Sequence, residues 1–222
     1  VPIARRRGDD DDPQMTCRYA FLVDTYSTEI LKVLSVWAMV PDHELDRRPR
    51  AGDARGRTLR EHMIHQCQSE NGWFAGMFGI AVPGDVLPAD ATRLGFLQHY
   101  AAAAAVRRDA LAGKDDAWWE KEVAFFEVLR PRTWIMVRRI AHTAHHRGQQ
   151  TLLLRTFGTA LHSTYGPTAD TGGLAKDKPP VVYAYDDAAA LLAGEAAGGE
   201  KRALPPPVAR PVTERPVTER PA

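Results

Sequence analysis

The chain of 222 residues carries 29 Lys and Arg against 28 Asp and Glu, a net charge of +1 with neutral histidines, and a hydrophobic fraction of 44%. Near-zero charge leaves no broad field to attract nucleic acid or an anionic membrane, and no apolar run approaches the ~20 residues of a bilayer span, so neither partner is expected and one core of common size is. The two cysteines, Cys17 and Cys67, are far apart and lack CxxC spacing, which excludes a disulfide framework or a thiolate zinc cluster and points to a reducing cytoplasm.

Residues 1–14 run through Arg5, Arg6 and Arg7 into Asp9 to Asp12 without the apolar stretch of a secretory signal. They read as a disordered leader or an overlong start ahead of Met15. A first helix is predicted from about Tyr19 to Val40, where Tyr26, Ile30, Val33, Leu34 and Trp37 form one apolar stripe and Pro41 helps to stop it. After a polar segment through Arg57, Thr58 and Glu61 stand in the capping-box pattern at the start of a second helix, Leu59 to about Phe78, which carries His62 and His65. Residues 79–92 contain prolines and glycines that exclude helix. Extended at roughly 3.3 Å per residue, they can cross a helix of ~30 Å from end to end, so the second and third helices could be parallel.

The third helix is predicted over about Arg93 to Leu111, with Leu94, Leu97, Tyr100 and Ala104 inward and Gly113 as its stop. Trp118 and Trp119 follow in what reads as a loop that could rim a pocket, and residues 123–129 are compatible with an extended stretch or a single turn. Pro131 suits the first turn of a fourth helix whose apolar positions include Trp134, Ile135, Val137, Ile140, Leu152 and Leu153, and which ends near Phe157 at Gly158. Residues 161–193 read as an extension on or near the main body, with a short strand or helix at most. Residues 194–222, rich in Ala, Gly, Glu and Pro and ending in a near repeat of ArgProValThrGlu, read as a disordered tail.

The fourth helix contains His142 and His146 at i and i+4, on one face and one turn apart, within reach of one metal at ~2.0 to 2.1 Å. That spacing alone is common among solvated or core histidines. Its weight increases with His65, seven residues after the Thr58 cap on a helix that must pack near the fourth in a four-helix bundle. A third imidazole from a facing helix completes a His₃ set and leaves coordination open for water or substrate, as catalytic sites do. His62, one turn before His65, could replace it. His145 points about 100° away from His146, and His43, His99 and His162 read as structural. Gln149 continues the stripe and either packs or reaches a bound water or substrate. Glu61 could orient His65, although its cap role already explains it. Arg138 is read as solvated or ion-paired, with an anionic substrate group as the alternative. Trp37, Trp73 and Trp134 read as core.

ThrLeuArgGluHisMetIleHis at 58–65, followed by HisThrAlaHisHisArgGlyGln at 142–149, resembles the DinB/YfiT-like family of metalloenzymes over about residues 19–160, within a domain drawn at 15–160. The resemblance implies an all-α four-helix bundle in up-down-down-up order, a divalent metal, zinc or nickel, on His65, His142 and His146, and a homodimer. Three neutral imidazoles leave the metal its full charge, which suits either hydrolysis by activated water or transfer of a low-molecular-weight thiol. The resemblance favours thiol chemistry in some members. A non-catalytic metal-binding or stress-response protein is the alternative expectation.

Overall fold

The computed structural model describes residues 17–172 and 178–206. The expected leader at 1–14 and residues 207–222 of the expected tail lie outside the described residues. The described chain is mostly helical, with α1 (Ala20–Ala38), α2 (Leu59–Trp73), α3 (Arg93–Ala112), α4 (Asp116–Glu120), α5 (Arg132–Thr156) and α6 (Ala188–Ala196), plus a hairpin of β1 (Glu122–Phe125) and β2 (Val128–Pro131). α1 packs against α3 and α5, and α2 packs against α5 and, less extensively, α3. No described helix is long and apolar enough to cross a membrane.

The apolar stripe of α1 is the centre of the core: Tyr26, Ile30, Val33, Leu34 and Trp37 are all buried. Trp37 meets Phe96 edge-on at 6.3 Å and Tyr100 at 4.7 Å, which fixes α3 against α1. α2 starts where Thr58 predicts, with both capping-box bonds made: Glu61 N–H donates to Thr58 Oγ1 at 3.1 Å and Thr58 N–H to Glu61 Oε2 at 2.9 Å. Its predicted end at Phe78 is reached through one π-type turn, Phe74–Phe78, closed by left-handed Gly79. Phe74 and Phe78 are both buried by that change of pitch.

Thr92 caps α3 by accepting from Gly95 N–H at 3.1 Å. A Cβ on Gly95 would lie 2.0 Å from the Asp90 carbonyl, so this first turn requires glycine. α5 ends as expected: Gly158 is left-handed, its N–H donates to the Arg155 carbonyl and that of Thr159 to the Leu154 carbonyl, the paired bonds of a Schellman stop.

Residues 122–131, where the sequence leaves an extended stretch or a single turn open, form an antiparallel hairpin, with Glu122 opposite Pro131 and Phe125 opposite Val128. Three expectations need correction. Pro131 ends β2 and is the N-cap of α5, one position before the helix proper. Trp118 and Trp119 lie on α4, whose N-cap Asp115 accepts from Trp118 N–H at 2.8 Å; Trp119 is fully buried and Trp118 stacks on Phe78 at 6.1 Å under the Arg132 guanidinium. The boundary drawn at residue 194 falls inside α6, which packs on α1 and α3. There Glu195 is buried and ion-paired with Arg93 and, at 2.8 Å, with Lys201. Gly194 admits the Tyr185 ring where a Cβ would meet it at 2.4 Å.

Candidate metal centre

α2 and α5 meet along faces that are unusually polar for a core. On α2 the buried side includes His62, Gln66 and Glu70; on α5 it includes Arg139, Thr143, His146, Arg147 and Gln150. His65, His142 and His146 converge there, each offering one ring nitrogen within 4.8 Å of the others. His142 Nε2 and His146 Nε2 are 3.2 Å apart. Two nitrogens held on one ion at ~2.0 to 2.1 Å stand about 2.8 to 3.4 Å apart, from right-angle to tetrahedral geometry, so the observed separation fits a shared cation. Ring centroids of His65 lie 4.6 Å from His146 and 5.7 Å from His142.

The protonation of the cluster is fixed by its surroundings. His146 Nδ1 lies 3.0 Å from Gln149 Oε1. An amide oxygen only accepts, so the proton sits on Nδ1 and the Nε2 lone pair faces His142. Burial holds His146 down to about 3, helped by His142 and His65, and His142 down to about 4, helped by Arg139 and His65. Burial and the charges of Arg57 and Arg139 lower His65 as well. All three are neutral near pH 7, the form in which an imidazole can ligate a metal. His142 Nδ1 is buried without a partner, and the Trp73 indole stacks on the ring at 5.8 Å and 24°.

Other singled-out residues separate clearly. His62 is buried with its ring 5.6 Å from that of His146, Nδ1 unpartnered and burial depressing it to about 4, but it is not in the converging set. Glu61 is used by the cap and by Arg48, at 2.8 and 3.0 Å, and does not orient His65. Exposed His145 lies 5.1 Å ring to ring from His146, outside the set. His43 is exposed, His99 meets the Val86 carbonyl and His162 the Arg202 carbonyl. Arg138 is exposed. Trp37 is core as expected, whereas Trp134 is 42% exposed and Trp73 forms a wall of the site rather than core.

Periodicity did not point to the buried cluster beside the histidines. Glu70 accepts from Tyr26 Oη and Tyr100 Oη, both at 2.6 Å, and from Arg107 and Arg139, both at 3.2 Å. Arg139 also reaches Ser69 and Thr143 and lies over the Trp73 ring. The one available signal was a carboxylate, Glu70, spaced five residues from His65 on the same helix.

No protein-family model matches the chain, and no curated protein matches its sequence. Among solved structures, the crystal structure of a DinB-like protein from Bacillus cereus ATCC 10987 is similar with a TM-score of 0.52 at 21% identity, over 66% of this chain and 93% of that one. The chain has a DinB-like fold. The similarity is one of fold, and within the DinB-like framework it is the histidine geometry of this chain that speaks for a metal.

Proposed function

We propose that this protein is a divalent-metal enzyme, a thiol S-transferase or a hydrolase, with zinc or nickel on His65, His142 and His146. The observation that carries the reading is the convergence of three neutral imidazoles from two helices with no carboxylate or thiolate among them. A bound ion would supply Lewis-acid charge that lowers the pKa of water or of a thiol and polarises a carbonyl. The chain's own residues do the rest. Gln149 holds His146 in the ligating tautomer, Trp73 limits rotation of His142, and the half-open exposure of His65 and His142 leaves room for a small-molecule substrate. The four long helices are proposed to form an up-down-down-up bundle, supported by the packing of α1 on α3 and α5 and of α2 on α5 and α3.

Metal analysis of protein purified without a chelating column tests the centre. About one divalent ion per chain is expected, lost in His142→Ala. Turnover assays with low-molecular-weight thiols against electrophiles, and with amides and esters, then decide the class. Tight metal binding without turnover on either panel would make the protein a metal binder rather than an enzyme.

A further inference from the structure

Beside the histidine cluster lies a cavity of about 440 Å³ whose lining includes Arg55, Arg57, His62, Gln149, Leu152 and Leu153. It shares a wall with the metal centre, because Gln149 is the residue that holds His146 Nδ1 and the His62 ring lies 5.6 Å from that of His146. Its volume falls in the usual range of small-molecule sites. No carboxylate lines it. Arg57 makes no side-chain hydrogen bond or ion pair among the described residues, and Arg55 has only a 3.8 Å approach to Asp53, which is not part of the lining. His62, only 5% exposed, contributes to the lining, and its Nδ1 is buried without a partner.

Two guanidiniums without a firm partner, lining one cavity, match one ligand chemistry: an anion with several acceptor oxygens, which arginine binds by paired charge-assisted hydrogen bonds. Leu152 and Leu153 supply an apolar flank for a short carbon skeleton. They stand six and seven residues beyond His146, roughly 10 Å along the helix. We propose that this cavity recognises a carboxylate or phosphate group of the substrate, placing the substrate's reacting end at the three histidines. The assignment of a reacting end rests on the metal-centre reading; the anion site itself does not.

Isothermal titration at low ionic strength with succinate and with inorganic phosphate tests it, using metal-loaded and metal-stripped protein. Wild type is expected to bind at least one of the two in both states, and the preferred one identifies the group. R55Q/R57Q, both at exposed positions, is expected to bind roughly tenfold or more weakly with unchanged metal content. If neither anion binds wild type, or the double variant binds as tightly, the proposal is overturned. Arginine-dependent binding in a protein that retains no metal would support the anion site while removing the metal-centre reading, so the two fail separately.

Discussion

Two polar clusters lie side by side between α2 and α5 and are built on opposite terms. Glu70 is a buried carboxylate with two donors on each oxygen, from Tyr26 and Arg107 on one and Tyr100 and Arg139 on the other. His65, His142 and His146 present converging nitrogens, one pair only 3.2 Å apart, with a single outside partner in Gln149. Buried polar atoms that are satisfied hold a fold together; buried polar atoms that converge without partners mark a place for something else. The Glu70 cluster joins α1, α2, α3 and α5 through one carboxylate. The histidine cluster joins only α2 and α5, and its converging ring nitrogens could hold a cation.

That contrast can be broken by mutation. Glu70→Ala removes the carboxylate and leaves Arg107 and Arg139 as unpaired buried charges, which should cost about 3 to 5 kcal/mol in urea denaturation of the metal-free protein. A loss under about 1 kcal/mol would mean the cluster is not a clamp. His142→Ala should do the reverse. Metal affinity should drop by more than the roughly 100-fold that an outer partner is worth, while the urea midpoint of the metal-free protein stays near that of wild type. Gln149→Ala should weaken metal binding roughly 10- to 100-fold by releasing the tautomer of His146, and Gln149→Glu, which keeps an acceptor oxygen, should recover most of it. Equal affinities for Ala and wild type would show that Gln149 only packs. Further down the scale, Thr58→Ala should cost about 1 kcal/mol, because it opens the capping box that sets the start of α2 seven residues before His65.

How far the sequence could be read follows from the same contrast. α1 and α3 bury leucines, aromatics and alanines; the stripe of α1 places the core correctly, and that of α3 does so at Leu97, Tyr100 and Ala104, whereas Leu94 is only partly buried and Phe96 is buried instead. α5 follows its stripe only in part: Ile135 and Leu153 are buried, but Val137 and Leu152 are 55% and 67% exposed, while Arg139, Thr143, His146 and Gln150 face inward. An apolar stripe cannot find a buried face made of polar residues, so Arg138 drew notice in place of Arg139. The histidines were legible for a different reason. Metal ligation constrains residue type and spacing directly, so i, i+4 on one helix and one histidine on its neighbour survive as a pattern when hydrophobic period fails. The hairpin was hidden by brevity, since four-residue strands give too few alternations. Phe126 enters its turn with φ of 51°, where glycine or asparagine would have announced it. Trp73 read as core because a tryptophan that stacks on a ligand and on Arg139 has the same helical spacing as one that fills a core.

α6 offers the mildest test of satisfied against unsatisfied burial, because composition alone marked its end as a tail. Burial pushes the Glu195 carboxyl up, but Arg93, Lys201 and the Tyr185 hydroxyl, which donates at 2.6 Å, outweigh burial and hold it below its ordinary value. A carboxylate with a lowered folded pKa contributes stability that is fully present above the unfolded value of 4.5 and is lost as pH falls through the folded one. Docking of α6 should therefore weaken below about pH 4.5, visible as faster amide exchange in residues 188–196 than in α1 or α3. In Glu195→Gln the protection of α6 should already be lower at neutral pH and change little on acidification. Wild-type protection, taken relative to the intrinsic exchange rate at each pH, that is flat from pH 6 to pH 3 would show that α6 is held by Leu191 and its apolar neighbours alone. Glu195 would then resemble the histidine cluster, a buried polar group that does not hold the fold together, rather than Glu70.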